Sequence, residues 1–295
     1  MWKKDNSLKG KEARKGALFA SSYVIYSLIF WVYPVIWLLV LTFSKWRFVG
    51  DPTFNGLNNL IRVLKDPIFW LSLKNTFRFL GFYIPLVFIC SMLFAVGLKK
   101  IKYGKMFIAL SFLLANVSSG VAYSIVFTKI FGDNGPINQF LYEHFGVIIP
   151  WFTSPTLAMF SISLIVIWKF VGYYGLIFYS GLNAIPDSLY EAADLDGAGR
   201  WDKLVNITLP LLNNQIIMVL VLAITVAFGI FTESYMITGG GPVRSTMTPM
   251  LVMYETAFRK MDPTYAAAMS IFVAIVSFGI IKITRKVFEK DVDIV

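Results

Sequence analysis

The segment Glu191-Ala-Ala-Asp-Leu-Asp-Gly197 lies between two long apolar stretches and is followed, after nine residues, by Ile207-Thr-Leu-Pro210. It is acidic and rich in small residues, whereas the sequence on either side is mostly apolar. Pro186, shortly before it, disfavours the helical conformation of Ile185 and so predicts the end of the preceding helix. Gly197 is typical of a helix C-terminus. The pattern predicts a short polar helix in a loop between two apolar helices.

Local signals within this loop predict where its helices begin and end. Pro186 is expected at the first helical position, where its missing N–H has no cost. Ser188 and Glu191 have the spacing of a capping box. Gly197 and Gly199 are expected to end the first helix, and a second helix is expected from about Trp201 to Leu209.

The first helix of the loop would present a flat face of small side chains, on which another protein could dock closely. Three carboxylates would be available there to the basic residues of a partner, namely Glu191, Asp194 and Asp196. An ordinary amphipathic loop between two membrane spans is the plainer interpretation of an acidic, glycine-containing segment.

The composition is that of an integral membrane protein. Of the 295 residues, 57% are hydrophobic and only 15% are charged, whereas soluble proteins have about 25% charged residues. The net charge of +10 could suggest a nucleic-acid partner, but the basic residues cluster at the edges of apolar segments and therefore indicate membrane orientation. Cys90 and His144 are the single cysteine and the single histidine, which excludes an internal disulfide and a multi-histidine metal site.

Six segments are long and apolar enough to cross a membrane, since a spanning helix needs about 20 mainly apolar residues. Long continuous runs favour helices over the alternating ten-residue strands of a membrane barrel. The sequence therefore predicts an all-α integral membrane protein with one domain at residues 17–286, a loop at 182–213, a basic N-terminal tail at 1–16 and a C-terminal tail at 287–295. The six predicted spans are residues 17–43, 75–98, 106–131, 156–181, 215–238 and 265–283.

The distribution of lysine and arginine predicts which side of the membrane each loop faces. Basic residues collect in the N-terminal tail, in the turn at 99–105, in the loop with Arg200 and Lys203, and after the last span. Cytoplasmic loops carry such an excess, so both termini and the loop at 182–213 are expected in the cytoplasm of a bacterial cell.

The spacing of the central segment resembles the EAA signature of ATP-binding-cassette (ABC) importer permeases, which is Glu-Ala-Ala, three residues, Gly, nine residues and Ile-x-Leu-Pro. The resemblance implies a type I ABC importer permease fold in which a cytoplasmic coupling helix receives motion from a separate ATPase. The residues expected to couple to that ATPase are Glu191, Ala192, Ala193, Asp194, Asp196, Gly197, Leu209 and Pro210.

Four further patches make the chain similar, from end to end, to the maltose/glycerol-3-phosphate-type carbohydrate permeases. They are Trp31-Val-Tyr-Pro34 with Phe43-Ser-Lys-Trp46, Gly56-Leu-Asn-Asn-Leu60 with the outer-loop residues 66–76, Gly181-Leu-Asn-Ala-Ile-Pro186, and Thr238-Gly-Gly-Gly-Pro242. This narrower resemblance implies a carbohydrate cargo.

The resemblance also implies the partners: a second homologous permease, two copies of an ABC ATPase, an extracytoplasmic solute-binding protein and a sugar substrate. The chain itself would not be an enzyme and would hold no metal or cofactor, because ATP and Mg²⁺ would be bound by the ATPase. Gly239-Gly-Gly-Pro242 lacks the lysine of a phosphate-binding loop and follows a predicted span.

Polar and aromatic residues inside the spans are the candidates for a substrate path, since an intramembrane polar group is a functional candidate by default. Aromatic rings can stack on sugar faces, and hydroxyl, amide and charged groups can bond to sugar hydroxyls. Helix-to-helix bonding is the structural alternative for each of them, and Lys169 could pair with Glu233 or with another subunit. The candidates are Asn116, Ser119, Tyr123, Trp168, Lys169, Tyr173, Tyr174, Thr232, Glu233 and Tyr235.

The cargo remains open at this point. Ala223 and Ala227 occupy the middle of the fifth span, where the better-known maltose permeases have polar side chains, so maltose itself is not favoured. An ABC importer for glycerol phosphate, peptide or amino acid is the first alternative. A secondary transporter is the second, although it would need coupling carboxylates, and only Lys169 and Glu233 are intramembrane charges.

Overall fold

The computed structural model describes residues 8–288, so residues 1–7 and 289–295 of the two predicted tails lie outside the described residues. The described part is mostly helical, with one two-stranded hairpin. The helices are α1 (Leu8–Ser27), α2 (Tyr33–Thr42), α3 (Asn58–Leu64), α4 (Pro67–Lys100), α5 (Lys105–Val117), α6 (Gly120–Ile130), α7 (Pro136–Phe145), α8 (Ala158–Ala184), α9 (Asp187–Leu195), α10 (Arg200–Lys203), α11 (Leu209–Leu211), α12 (Asn213–Gly229), α13 (Pro249–Tyr254) and α14 (Pro263–Phe288). The strands are β1 (Ser44–Lys45) and β2 (Thr53–Phe54), and π-helical turns cover Leu28–Val32, Leu204–Thr208, Ser234–Thr238 and Glu255–Arg259.

The predicted all-α membrane architecture is confirmed. Within residues 8–288, five helices are long and apolar enough to cross a membrane, or up to six if the bent pair α5 and α6 forms one span. The five are Lys15–Thr42, Pro67–Lys100, Ala158–Ala184, Asn213–Thr238 and Pro263–Phe288. Each overlaps a predicted span, and α4 begins eight residues before the start expected at residue 75.

The third predicted span, residues 106–131, was wrong as one continuous helix. It consists of α5 and α6, which are bent by 99° at a short break. Ser118 and Ser119 have extended backbones there, and the Ser118 hydroxyl donates to the carbonyl of Ala115 at 2.6 Å. Serine competes with the helix in this way, and Gly120 adds the backbone freedom that weakens a helix further. The continuous helix was predicted because the apolar pattern of residues 106–131 was given more weight than these serine and glycine signals.

Two prolines inside helical segments are preceded by π-turns. Pro34 follows the turn Leu28–Val32, in which the N–H of Tyr33 donates to the carbonyl of Leu28. Pro210 follows the turn Leu204–Thr208 in the same way. A proline removes one backbone donor and crowds the carbonyl four residues earlier, so a wider turn before it relieves the crowding while the helix continues.

The described chain divides into two compact units. The first comprises the described residues up to Lys65 together with Glu255–Ile271. Its long helix Lys15–Thr42 is almost wholly exposed, with 6% of its most apolar window buried. An apolar helix with this exposure is suited to lipid or to another membrane subunit.

The hairpin of the first unit is tied to the end of that helix. Strands β1 and β2 are antiparallel, with Ser44 opposite Phe54. The buried amide of Asn59 donates to the carbonyls of Thr42 and Ser44 at 3.0 and 2.7 Å. Arg62 forms a 2.6 Å ion pair with Asp262, which fastens α3 to the segment before α14 within this unit.

The second unit comprises Asp66–Tyr254 and the described residues from Phe272 onward. Helix α8 packs along α4 and α5, and small residues permit the close approach. A Cβ added to Gly172 would lie 2.5 Å from the Cβ of Phe112, and one added to Gly175 would lie 2.4 Å from the ring of Phe94. Glycine at such positions is typical of helix packing in membranes.

Candidate functional site: coupling loop and intramembrane polar cluster

Helix α9 carries the Glu-Ala-Ala segment and ends in a Schellman motif. The N–H of Gly197 donates to the carbonyl of Asp194 at 3.1 Å, and the N–H of Ala198 donates to that of Ala193 at 2.9 Å. Gly197 has φ +76°, the left-handed conformation that this motif requires. The glycine of the signature is therefore the residue that ends the helix and redirects the chain.

The start of α9 differs from the prediction in two respects. Pro186 is the residue before the helix, with an extended backbone (φ −61°, ψ 134°), and the helix begins at Asp187. Pro186 makes no side-chain cap bond, since proline has no polar side chain, so the predicted capping box of Ser188 and Glu191 does not form. The carboxylate of Asp187 instead lies in the first turn, where it stabilises the positive end of the helix dipole.

The loop is braced by polar contacts between its two helical parts. Lys203 of α10 forms an ion pair with Asp194 of α9, and the hydroxyls of Tyr190 and Thr208 lie 2.9 Å apart. Asp194 is exposed, and its carboxylate is engaged by Lys203 within the loop. Its expected contact with a partner stays a prediction, and a partner cation would share this carboxylate with Lys203.

The loop is also fastened to the end of α4. The ammonium group of Lys99 donates to the carbonyl of Leu182 at 3.1 Å and lies 3.7 Å from the carboxylate of Asp187. In the sequence, Lys99 was one of the basic residues that predicted the orientation in the membrane. Its structural role could not be predicted, because its partners are more than 80 residues away in the sequence.

The outer surface of α9 is open. Glu191, Ala192 and Asp196 are exposed. Two large apolar side chains beside them are also exposed, Leu195 at 91% and Trp201 at 72%. Apolar groups next to carboxylates are typical of a docking surface, and Leu195 and Trp201 were not among the predicted residues. Of the remaining predicted coupling residues, Ala193, Leu209 and Pro210 are half-buried.

Three of the predicted path residues form one polar cluster that joins α6, α8 and the end of the fifth span. The hydroxyl of Tyr123 donates to the carboxylate of Glu233. The ammonium group of Lys169 donates to the same hydroxyl oxygen at 3.2 Å and lies 4.8 Å from the centre of the Tyr123 ring. Tyr123 and Glu233 are buried and Lys169 is half-buried. Lys169 and Glu233 therefore meet through a tyrosine and not as a direct ion pair.

The cluster lies where two interrupted spans meet. The first interruption is the bend between α5 and α6, and the second follows α12, whose end at Gly229 is succeeded by the extended residue Ile230. A Cβ added to Gly120 would lie 3.0 Å from the side chain of Thr232, so the two interruptions touch. Broken helices expose backbone polar groups, and inside a membrane these are tolerated where they line a cavity or contact other protein.

An open cavity of about 230 Å³ lies at this junction. Its polar lining comes from Lys169, Thr232 and Glu233. The ring of Phe170 and the backbone around Gly229 also line it. Trp168 is 43% exposed and its ring lies 6.2 Å from that of Tyr123. Charged, hydroxyl and aromatic groups around a small cavity suit a hydroxyl-rich ligand.

The other predicted path residues do not join this cluster. Tyr174 is fully buried and its hydroxyl lies 3.4 Å from that of Tyr83 on α4. The half-buried Tyr173 lies beside Tyr174, with ring centres 5.6 Å apart. Tyr83 was missed because the prediction considered no polar residue of the second span.

Tyr235 stacks on Phe231, with ring centres 5.4 Å apart and planes at 9°. Asn116 is half-buried near the end of α5, and Ser119 is exposed at the bend. Ala223 and Ala227, the departures from the maltose-type pattern, are buried in helix packing at 1% and 0% exposure.

Comparison with known proteins places the chain in a family. Residues 11–293 match the family described as binding-protein-dependent transport system inner membrane component. The chain belongs to this family. It is 33% identical to the lactose transport system permease LacF of Rhizobium radiobacter, over 92% of this chain and 95% of that protein. It is 35% identical to the probable ABC transporter permease YesP of Bacillus subtilis, over 95% and 91% of the two chains.

The fold has a counterpart among solved structures. A chain from the crystal structure of a bacterial ABC transporter involved in the import of the acidic polysaccharide alginate matches with a TM-score of 0.80. The match covers 97% of this chain and 99% of that chain at 21% identity. The predicted ABC importer permease fold is thereby confirmed, and the chain is a multi-pass membrane protein of a binding-protein-dependent transport system.

Proposed function

We propose that this chain is one transmembrane permease subunit of an ATP-driven, binding-protein-dependent carbohydrate importer. The observation that carries the proposal is the exposed α9 loop, in which the Glu-Ala-Ala helix and its Gly197 terminus are held on the end of a spanning bundle. The carbohydrate cargo is supported by the relative named for lactose transport and by the polar, aromatic cavity at Lys169 and Glu233.

The proposed role of the loop is mechanical. Glu191 and Asp196 would bind basic residues of an ABC ATPase, and Leu195 and Trp201 would fill apolar pockets on it. Because Lys203, Tyr190 and Lys99 brace the loop, a displacement of α9 would be transmitted to α8 and α12 with little lost to internal bending. That transmission would open and close the path between this subunit and a second homologous permease.

The proposed assembly contains this chain, the second permease, two ATPase copies and an extracytoplasmic solute-binding protein in the bacterial cell membrane. Both termini would be cytoplasmic. ATP and Mg²⁺ would be bound by the ATPase, and this chain would perform no covalent chemistry and need no cofactor. Substrate would pass from the binding protein into the membrane cavity, where Lys169 and Glu233 could contact sugar hydroxyls and the ring of Phe170 could contact a sugar face.

The decisive experiment is ligand-stimulated ATPase activity. The chain would be co-expressed with the permease, ATPase and binding protein encoded beside it, reconstituted in lipid and tested with a panel of sugars, with peptides, amino acids and glycerol phosphate as controls. We expect stimulation by one carbohydrate, and only when the binding protein is present.

The other outcomes separate the alternatives. Stimulation by a peptide, an amino acid or glycerol phosphate alone would keep the importer and replace the cargo. Uptake without any associated ATPase would contradict the importer and favour a secondary transporter.

A further inference from the structure

A polar cavity of about 280 Å³ lies in the first unit, between the hairpin, α3 and the segment before α14. None of the residues assigned to coupling or to the substrate path lines it. Its lining contains three cations, Lys45, Arg47 and Arg62, and one carboxylate, Asp262. The cavity therefore has a formal excess of two positive charges.

The geometry leaves two of the cations available. Arg62 is engaged with Asp262 at 2.6 Å and lies over the ring of Tyr265, with its guanidinium carbon 3.7 Å from the ring centre. Lys45 and Arg47 are exposed, and neither has a carboxylate within ion-pair distance among the described residues. Lys45 ends strand β1, Arg47 follows two residues later, and both line the cavity.

The floor of the cavity is rigid and polar. The amide of Asn59 is buried and bonded to the carbonyls at the end of α2, and the amide of Asn58 donates to the carbonyl of Asn55 at 2.9 Å. These hydrogen bonds hold two of the asparagine side chains that line the cavity in place.

The rim of the hairpin is apolar and exposed. Val49 and Phe54 are 86% and 85% exposed, and Phe48 is 40% exposed, with its ring 5.3 Å from that of Trp46. Trp46 in turn lies against Trp37 of the spanning helix, with ring centres 6.4 Å apart. Aromatic residues next to a spanning helix are typical of the membrane interface.

The distance from the spanning helix fixes the depth of the cavity. Lys45 follows the end of α2 at Thr42 by three residues, so the two lie at most about 10 Å apart. The headgroup region on each side of a bilayer is roughly 5–8 Å thick. Lys45 and Arg47 are therefore expected within or just beyond the headgroup layer. At that depth the apolar side chains of the rim can be buried at the boundary of headgroups and acyl chains.

We propose that this cavity binds the phosphodiester headgroup of an anionic phospholipid, with Lys45 and Arg47 on the phosphate and with Phe48, Val49 and Phe54 in the lipid interface. Guanidinium and ammonium groups are the usual partners of phosphate. The interfacial depth and the apolar rim favour a membrane lipid over the acidic surface of a soluble protein. A soluble protein would have to reach the headgroup layer to contact the exposed apolar side chains of the rim.

The test compares lipid retention by matched charge variants of the full chain, purified with its co-purifying subunits into nanodiscs of defined lipid. The probe is phosphatidylglycerol, with phosphatidylcholine as the neutral lipid and glycerol 3-phosphate as the free phosphate ester. The double variant Lys45→Gln/Arg47→Gln removes both cavity cations. The control Lys65→Gln/Lys74→Gln removes two exposed cations outside the cavity.

Native mass spectrometry should detect phosphatidylglycerol bound to the unchanged protein in preference to phosphatidylcholine. The cavity variant should bind it about 30-fold more weakly, which corresponds to roughly 1 kcal/mol for each interfacial cation, and the control should bind it as before. Equal thermal midpoints of the variants in phosphatidylcholine would show that the fold is intact.

Three outcomes would overturn the proposal. Equal phosphatidylglycerol retention by the cavity variant and the unchanged protein is the first. Complete displacement by millimolar glycerol 3-phosphate would assign the cavity to a free phosphate ester. The third is a cavity variant that retains phosphatidylglycerol but docks the solute-binding protein more weakly in pure phosphatidylcholine. That result would assign the cavity to a protein partner.

Discussion

At the level of single residues, the backbone of Gly197 decides how the coupling loop ends. Its φ of +76° is one that branched residues adopt only with strain, and no atom lies within 4 Å of a Cβ added there. A substitution at Gly197 therefore acts through backbone conformation and not through a steric clash.

Replacement of Gly197 by valine should abolish ligand-stimulated transport while the assembly still forms, because the altered turn would tilt the α9 surface away from the ATPase. Gly146 offers a matched control, since it caps α7 with φ +65° and also has an open Cβ position. Gly146→Val should keep transport within about fivefold of the unchanged protein, since roughly 1 kcal/mol of local strain changes populations by about that factor. Normal uptake by Gly197→Val in reconstituted vesicles would contradict the coupling role assigned to Gly197.

Tyr123 is the residue on which the intramembrane cluster depends. Its hydroxyl is the hydrogen-bond partner of the Glu233 carboxylate and also accepts from Lys169. Tyr123→Phe should lower stability by roughly 1–3 kcal/mol, the cost of leaving a buried polar group without its partner, and should reduce transport.

The control is Tyr174→Phe, which removes a longer bond, at 3.4 Å, between two neutral hydroxyls. It should cost about 1 kcal/mol, the lower end of that range, because the buried group left without a partner is the neutral hydroxyl of Tyr83 and not a carboxylate. Thermal unfolding in detergent would compare the two variants, and an equal loss from both would contradict the special role of the Tyr123 bridge.

At the level of elements, the packing of α8 against α5 depends on a glycine with no room for a side chain. Gly172 meets Phe112 closely enough that an added Cβ would lie 2.5 Å from that residue's Cβ.

Gly172→Ala should therefore destabilise the protein by roughly 1–3 kcal/mol, the usual cost of overpacking. Gly81 in α4 is a matched control, because nothing lies within 4 Å of its added Cβ. Gly81→Ala should be neutral or stabilising by up to about 1 kcal/mol, since alanine is the better helix former. The thermal midpoint of each variant in one detergent gives the comparison, and a neutral Gly172→Ala would contradict the observed packing.

At the level of the whole molecule, the proposed topology places the loop after the fifth span outside the cell and the turn at 99–105 inside it. Cys90 is the single cysteine, so Cys90→Ser provides a background for introduced cysteines. Val243 in that outer loop and Tyr103 in that inner turn are matched positions, at 86% and 90% exposure. A membrane-impermeant thiol reagent should label Val243→Cys in intact cells and Tyr103→Cys only after permeabilisation. The reverse pattern would invert the topology.

Much of this organisation could be predicted from residues close together in the chain. The Glu-Ala-Ala spacing, Pro186 and Gly197 predicted a short exposed helix, and α9 has those limits to within one residue at its start. The break at Ser118 could have been predicted from the Ser-Ser-Gly sequence, but the apolar pattern of residues 106–131 outweighed it.

The sequence alone determined five of the membrane spans, the position of the coupling loop and the polar residues inside the membrane, because hydrophobicity, helix termination and charge at the span edges are local properties. Tertiary structure alone decided that Tyr123 joins Lys169 to Glu233, that Lys203 occupies Asp194, and that Lys45 and Arg47 share a cavity with Arg62 and Asp262. These pairings join residues as many as 200 positions apart. Their geometry depends on how the helices pack, and no local pattern of side chains specifies that.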